Sequence, residues 1–267
     1  MPIIPIDDPE DPRTADYRDV RERDLVGRRG LFVAEGEVVL RALAGAASRF
    51  RPVSALIAAE RAARLAPLLE SLPEETPIYA AAQPVMDAIA GFHIHRGVLA
   101  LGERVAPPSA EALLAAAPAD AVVAVMCGVG NHDNVGGVFR NAAAFGAHAA
   151  LLDARCCDPL YRKAIRVSVG AVLRTPFARF GAAPDLPDLL DRHGFAAVAL
   201  SPSGAQPLHR YRPAGRTALI LGSEGPGLPP EVLVRCVTVR IPMADGFDSL
   251  NVAATSAIAL HHLRFAS

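Results

Sequence analysis

Three loops of the 267-residue chain bring together residue types that can do chemistry, and each follows an apolar run. The first is Cys127-Gly128-Val129-Gly130-Asn131-His132-Asp133-Asn134-Val135-Gly136-Gly137-Val138-Phe139-Arg140-Asn141-Ala142. Its spacing predicts a helix starting near Asn134, with Gly136, Gly137, Arg140 and Ala144 on one face and Val135, Val138, Ala142 and Phe145 turned to the core. Two adjacent glycines cost a helix ~1 kcal/mol each relative to alanine. Close approach of a ligand or a second chain is the usual compensation, and Arg140 would then project from a bare, approachable surface. An ordinary loop with a surface arginine is the plain alternative.

The second loop, Leu221-Gly222-Ser223-Glu224-Gly225-Pro226-Gly227-Leu228, offers three glycines and one carboxylate. Exposed backbone N–H and C=O groups there can hold a small polar ligand. It lacks the Gly-x-Ser-x-Gly of a nucleophile elbow and the Gly-Lys-Ser/Thr of a Walker loop. A glycine-rich connector with a solvated Glu224 is the bland reading. The third loop runs Ile241-Pro242-Met243-Ala244-Asp245-Gly246-Phe247-Asp248-Ser249-Leu250-Asn251-Val252. Proline after a strand, then a polar loop, then Ser249 as N-cap predicts the start of a last helix over 250–265. Asn251, in its first turn, serves structure as readily as function.

The elements that must position these loops alternate between strand and helix. Residues 1–16, proline-rich with Asp7, Asp8, Glu10 and Asp11 clustered, are expected to form a flexible acidic arm. Residues 17–105 read as a small α/β domain: a charged helical stretch over 19–27, strands near 31–34, 53–58, 78–80 and 97–101, and helices near 37–47 and 62–72. Ala106-Pro107-Pro108 marks the boundary, because Pro-Pro fits neither a helix interior nor a central strand. Ser109 then caps a short helix in a linker that reaches residue 120. From 121 to 267 apolar strands (121–126, 149–152, 196–200, 217–221, 237–241) alternate with helices. That pattern predicts a mostly parallel sheet with helices on both faces, and ligands in such sheets bind at the carboxyl ends of the strands.

Composition narrows the function classes without choosing one. Half the residues are hydrophobic (51%) and the net charge is −1, so disorder is excluded for most of the chain. Residues 1–120 hold 13 basic and 18 acidic side chains, whereas residues 121–267 hold 14 and 10. Lys163 is the sole lysine, so arginine richness reflects codon bias and does not by itself mean nucleic-acid binding. The start lacks a signal peptide's basic and apolar regions. The longest apolar run, ten residues from Ala121 to Gly130, falls short of a membrane span. Four cysteines without CxxC spacing fit a reducing compartment, and a cytoplasmic protein is expected. His93-Ile94-His95 would set two imidazoles on one strand face, but no metal is expected there, since no further ligand accompanies them. His261-His262 reads as packing or interface. Arg155, Arg162, Lys163, Arg166, Arg174 and Arg179 face only Asp158 in that stretch. A solvated face is the plain reading and an RNA phosphate patch the sharper one. Arg18, Arg21, Arg23, Arg28 and Arg29 alternate with acids, so helix salt bridges compete with RNA contact there.

The three loops in this order and spacing resemble the SpoU/TrmH family of RNA 2′-O-ribose methyltransferases, within the SPOUT superfamily. The resemblance rests on Asn134-x-Gly136-x-x-x-Arg140-x-Ala142, on Leu221-Gly222-Ser223-Glu224-Gly225-x-Gly227, and on Ile241-Pro242-Met243 followed by Ser249-Leu250-Asn251-Val252. Lys163-Ala164-Ile165-Arg166-Val167-Ser168-Val169-Gly170-Ala171 adds to it. The likeness spans about 121–264. More weakly, residues 20–104, with Leu31-Phe32-Val33-Ala34-Glu35-Gly36-Glu37, look like the family's N-terminal substrate-binding domain. One departure stands out. The family often has Asp-Pro before the first asparagine, where this chain has His132-Asp133; a changed loop with unchanged chemistry is expected.

The resemblance implies a C-terminal trefoil knot, against the general rule of un-knotted chains, S-adenosylmethionine as cofactor, tRNA or rRNA as partner, and a homodimer. It implies that Gly222, Ile241 and Leu250 contact the cofactor, with Leu221, Met243 and Ser249 in the same pocket. It implies catalytic or substrate-side roles for Asn134, Arg140, Glu224, Ser249 and Asn251. Arginine is an awkward general base, with a pKa above ~12. Arg140 is therefore read as a phosphate clamp and stabiliser of developing alkoxide, with proton removal as the second reading. A non-catalytic RNA-binding protein on the same fold is the runner-up, and the joint presence of these five residues speaks against it. A nucleotide-binding enzyme unrelated to methylation would need a phosphate loop, and none is found.

Overall fold

A computed structural model of the chain describes residues 2–18, 30–245, 247 and 249–266. The charged stretch expected to be helical over 19–27, with Arg21, Arg23, Arg28 and Arg29, lies outside them. In chain order the strands are β1 (Ile3–Ile6), β2 (Leu31–Glu35), β3 (Arg51–Ala58), β4 (Ile78–Ala81), β5 (Val98–Glu103), β6 (Val122–Met126), β7 (Ala149–Leu152), β8 (Phe177–Arg179), β9 (Ala196–Leu200), β10 (Gln206–Pro207), β11 (Thr217–Leu221) and β12 (Val237–Arg240). The helices are α1 (Glu37–Ala44), α2 (Ala62–Leu69), α3 (Gln83–Ala90), α4 (Ala110–Ala115), α5 (His132–Ala144), α6 (Arg162–Val167), α7 (Leu186–Arg192), α8 (Pro230–Leu233) and α9 (Val252–Phe265). Among the described residues no helix is long and apolar enough to cross a membrane.

The chain divides into two compact units, one built from the N-terminal part up to Ala106 plus Leu160–Arg174, the other from Pro107–Pro159 plus the rest. The first holds a five-stranded sheet in the order β1-β4-β3-β5-β2. Strands β1, β4 and β3 run parallel, and β5 pairs antiparallel with both β3 and β2. Leu56, Tyr79, Met86, Ile89 and Leu101 fill one of its cores.

Two expectations fail in this unit. The expected flexible arm over 1–16 is not found in its described residues, 2–16: Ile3–Ile6 add an edge strand to β4, and Pro12–Tyr17 form a 3-10 helix that buries Tyr17. Proline is tolerated at Pro5 because β1 is an edge strand, and Tyr17 shares a 2.7 Å hydrogen bond with Ser54. The acidic cluster masked a short apolar strand. The second failure is the boundary, since Leu160–Arg174, expected in the C-terminal domain, belongs to the first unit. There α6 packs on β2, and Arg162 Nη1 donates to the nearly buried Glu35 at 2.7 Å, with Arg166 Nη1 at 3.4 Å from the same oxygen. Arg162 also stands over the Phe92 ring at 4.4 Å. Spacing within α6 could not show that its cations would meet a carboxylate 127 residues earlier.

The second unit holds seven strands in the order β10-β12-β9-β11-β6-β7-β8, every neighbouring pair parallel. This matches the expected sheet, with the short β8 and β10 as additions. Strands β6 and β11 are buried throughout, as continuous apolar runs demand. One face packs against α4, α7 and α8 through Leu113, Leu186, Leu190 and Val232. On the other, α9 packs against α5, β6 and β11. Ser109 caps α4 as expected, its hydroxyl accepting from the Ala112 N–H at 3.1 Å. The chain leaves β6 toward β7 and β8 on one side, while β11 and β9 occupy the other. The crevice between β6 and β11 is therefore a topological switch point, where parallel sheets open for ligands.

Candidate functional site

The first loop leaves β6 at Cys127, whose N–H donates to the Leu221 carbonyl at 2.9 Å, so the two loops start hydrogen-bonded. Gly128 takes φ +69°, a left-handed conformation suited to glycine. Asn131 is the N-cap of α5, its Oδ1 accepting from the Asp133 N–H at 2.8 Å. The helix thus begins earlier than expected. His132-Asp133 sits in its first turn, where the Asp133 carboxylate suits the helix dipole. Asn134 follows, 4% exposed.

The second loop closes on itself. Gly227 N–H donates to the Ser223 carbonyl at 3.2 Å, and Gly225 and Gly227 take φ +88° and +69°. Gly222 has another reason to be glycine: a Cβ there would lie 2.6 Å from the Gly227 carbonyl carbon and 2.7 Å from the Leu228 nitrogen. In the third loop the expected cap is corrected. Asn251, not Ser249, caps α9, its Oδ1 accepting from the N–H groups of Ala253 (2.9 Å) and Ala254 (3.3 Å). Its side chain reaches two first-turn donors, which is what an N-cap requires.

Capping orients the amide, and the orientation has a consequence. With Oδ1 held by the helix, Asn251 Nδ2 donates to Asn134 Oδ1 at 2.8 Å. Asn134 must then present Nδ2 on its other side, and it donates to Glu224 Oε1 at 2.6 Å. Asn251 Nδ2 also lies 3.5 Å from that oxygen. An amide has one acceptor and one donor end, so this chain of bonds permits one arrangement only. Three loops far apart in sequence are locked together on the carboxylate of Glu224, whose second oxygen has no hydrogen bond among the described residues.

Beside this trio lies a cavity of about 670 Å³. Leu221, Gly222, Ile241, Met243, Ser249 and Leu250, the six residues expected to hold a cofactor, all line it, as do Glu224 and Asn251. Arg140 stands apart: it is exposed on α5 and makes no hydrogen bond or ion pair among the described residues. The glycine face on which it was expected to stand is not bare. A Cβ on Gly137 would come 2.5 Å from Ala253 Cβ, and Asn141 Nδ2 donates to the Ala253 carbonyl at 2.7 Å. What approaches the glycine is the chain's own last helix, not a ligand or a second chain.

The basic run divides. Arg162 and Arg166 are engaged with Glu35 and Arg179 with the backbone carbonyls of Asp153, Cys156 and Cys157, while Arg155 keeps its side chain 67% exposed. His93 and His95 lie in the loop before β5, not on a strand; their rings stack edge to face at 4.4 Å and His93 Nδ1 pairs with Asp87. His262 Nε2 bonds the Tyr211 carbonyl at 2.8 Å, and His261 packs on Phe145 and Phe265. The Cys156 thiol is pushed up to about 12 by burial, consistent with the cysteines' reading as small hydrophobes.

Residues 121–261 match the SpoU rRNA Methylase family, more than half of the chain. The chain belongs to that family. An uncharacterized tRNA/rRNA methyltransferase of Mycobacterium bovis is 42% identical over 264 residues, covering 95% of this chain and 89% of its own. Among solved structures, the AdoMet-bound rRNA methyltransferase of Sinorhizobium meliloti superposes with a TM-score of 0.81 at 22% identity, covering 98% of this chain and 97% of the other. An RNA 2′-O ribose methyltransferase gives 0.77 at 24%, covering 97% and 98%. These structures share the fold. In this SpoU family member the cavity wall also includes Leu200, Ser201, Pro202 and Thr255, which sequence reasoning missed. Leu200 ends β9, a strand whose place between β11 and β12 no local pattern reveals, and Ser201 and Pro202 follow it.

Proposed function

We propose that the protein transfers a methyl group from S-adenosylmethionine to a ribose 2′-hydroxyl of tRNA or rRNA in the cytoplasm. The observation that carries this reading is the hydrogen-bonded trio Asn134–Glu224–Asn251 at the edge of a glycine-walled cavity. The cavity suits a nucleoside-sized ligand, within the range of about 300–1,000 Å³ usual for small-molecule sites. Its wall at Gly222 is bare backbone, because the Gly227–Leu228 peptide fills the space of a side chain. Amides and carbonyls of such a wall can hold a ligand's polar edges. S-adenosylmethionine supplies, when bound, a methyl on a sulfonium that needs no further activation.

The residues must then place a hydroxyl, help remove its proton and stabilise the oxygen's developing charge. Arg140 is assigned to the last task and to the neighbouring phosphate, for which a planar guanidinium is the right shape. Glu224, Asn134 and Asn251 form a rigid polar platform beside the cavity, and Ser249 contributes a hydroxyl. The first unit is assigned to RNA binding. The reading extends to a knotted C-terminal segment and to a homodimer, for which the exposed Ile258 and Phe265 on α9 offer apolar surface.

Arg140 provides the test. Arg140→Ala is expected to leave S-adenosylmethionine affinity within a few-fold of wild type and to slow single-turnover transfer to RNA by at least ~10²-fold. Arg140→Lys is expected to be nearly as slow. Transfer by Arg140→Ala at close to the wild-type rate would overturn the active-site assignment, even with the family intact.

A further inference from the structure

Asp153, immediately after β7, is a buried carboxylate that the proposed reaction does not use; its side chain is 1% exposed. Its Oδ1 accepts three backbone N–H bonds, from Gly128, Arg155 and Cys156, each at 3.0 Å. The Asp153 N–H in turn donates to the Met126 carbonyl at 3.1 Å, and Cys157 N–H donates to Val129 at 3.2 Å. This carboxylate stitches the loop after β7 to the loop that leads into α5, the helix carrying Asn134 and Arg140. Its other oxygen, Oδ2, has no hydrogen bond among the described residues, and the cation facing it is Arg155, with Nε at 3.6 Å.

The guanidinium of Arg155 is aimed as a result. Nε is turned to Asp153, while Nη2 lies on the side of Gly128. A Cβ placed on Gly128 would sit 3.5 Å from Arg155 Nη2 and 3.5 Å from Ser223 Cβ. Only the width of a glycine therefore separates the outer edge of this guanidinium from the loop that carries Glu224. Arg179 is consumed by carbonyls of the same loop, but Arg155 is 67% exposed, and its outer N–H groups make no hydrogen bond among the described residues. A guanidinium whose Nε faces a buried carboxylate in a 3.6 Å ion pair, with its outer edge open beside the candidate site, is oriented toward a bidentate oxyanion.

We infer that Arg155 is a phosphate clamp for the RNA strand beside the crevice, and that Asp153 is its positioning residue. This rests on the proposed RNA methylation and deepens it. The ligand is a phosphodiester; Arg155 does not line the cavity, and S-adenosylhomocysteine, which keeps the cofactor's carboxylate, is the control for oxyanion binding from that side.

The test titrates full-length protein with fluorescein-labelled bulk tRNA and, separately, with labelled bulk rRNA fragments at several salt concentrations, alongside calorimetric binding of S-adenosylhomocysteine. Arg155→Gln is expected to bind S-adenosylhomocysteine as wild type does. It should bind RNA about ten-fold more weakly and lower the salt slope by about one contact, 0.7–0.9. Arg155→Lys should recover the slope but not the full affinity. Asp153→Asn keeps an acceptor for the three N–H groups but turns an amide donor toward the guanidinium. It should therefore mimic Arg155→Gln, and the double variant should be no weaker than either single one. If Asp153→Asn fails to fold, the Arg155 pair decides alone. Wild-type affinity and slope in Arg155→Gln would overturn the clamp while leaving the methyltransferase reading in place. Additive losses in the double variant would overturn the positioning role. Wild-type protein that binds neither RNA would overturn both the clamp and the reading on which it rests.

Discussion

The charged side chains of the first unit and the polar groups around the crevice of the second are used in opposite ways. In the first, charges are matched with one another: Glu35 between Arg162 and Arg166, Glu37 between Arg41 and Arg64, Arg51 with Glu103 across β3 and β5. In the second, the polar groups around the crevice are held at one end and open at the other. Asn251 is fixed by its cap, Asn134 by Asn251, and Glu224 by both, with one carboxylate oxygen left over. Arg155 faces the buried Asp153 carboxylate at Nε, 3.6 Å away, and is open at its outer edge. The difference separates closure from chemistry: a satisfied ion pair holds a fold together, whereas a group that is fixed yet unsatisfied is ready for a ligand. Sheet topology contributes, because seven parallel strands send the loops after β6, β9, β11 and β12 to one edge, while the mixed five-stranded sheet divides its loop ends between two.

The largest effect is expected from separating the two duties of Asn251. Asn251→Ser keeps a good N-cap but removes the donor to Asn134 and Glu224. Single-turnover methyl transfer should fall about 10²-fold, on the scale of losing one preorganised group, while thermal melting changes little. Asn251→Ala should be as slow and also less stable by about 0.5–2 kcal/mol, the usual worth of a cap. Similar melting of the Ser and Ala variants would show that the cap is not what locks the amide.

Gly222→Ala should act on cofactor affinity, since its Cβ cannot fit against the Gly227–Leu228 peptide. Titration with S-adenosylhomocysteine is expected to show at least ~10-fold weaker binding, the equivalent of about 1.4 kcal/mol. Unchanged affinity would mean that the wall at Gly222 is not part of the ligand site. The smallest effect should come from the first unit. Glu35→Gln leaves two arginines facing a neutral amide and should cost about 1–2 kcal/mol in chemical denaturation, a value reduced from that of a buried pair because Arg162 and Arg166 are partly exposed. S-adenosylhomocysteine affinity should not move. A variant that loses cofactor binding with unchanged stability would erase the contrast between the units.

Much of this molecule was legible along the chain. The continuous apolar runs of β6 and β11 announced strands buried on both faces, because a strand with no polar alternation has no side to offer water. Pro107-Pro108 and Ser109 marked a boundary through backbone chemistry that acts within a few residues. The three loops were legible by residue type, with glycine, asparagine and carboxylate following apolar runs, and the structure gathers them beside one cavity. Local rules reach as far as local forces do.

What they could not reach is equally specific. Ile3–Ile6 read as part of an acidic arm until β4 offered an edge to pair with. Arg162 and Arg166 read as free cations until α6 met Glu35. The Gly137 face read as a surface for a ligand or a second chain until α9 filled it, and the cap of α9 moved from Ser249 to Asn251, whose side chain reaches the first-turn N–H groups. The sequence by itself determined which residues are scarce, apolar or chemically capable, since those are properties of single side chains and their near neighbours. Only the tertiary structure decided which of them meet. Partners such as Asn134 and Asn251, 117 positions apart, are chosen by strand order and helix packing, and hydrogen bonding then leaves their amides a single arrangement.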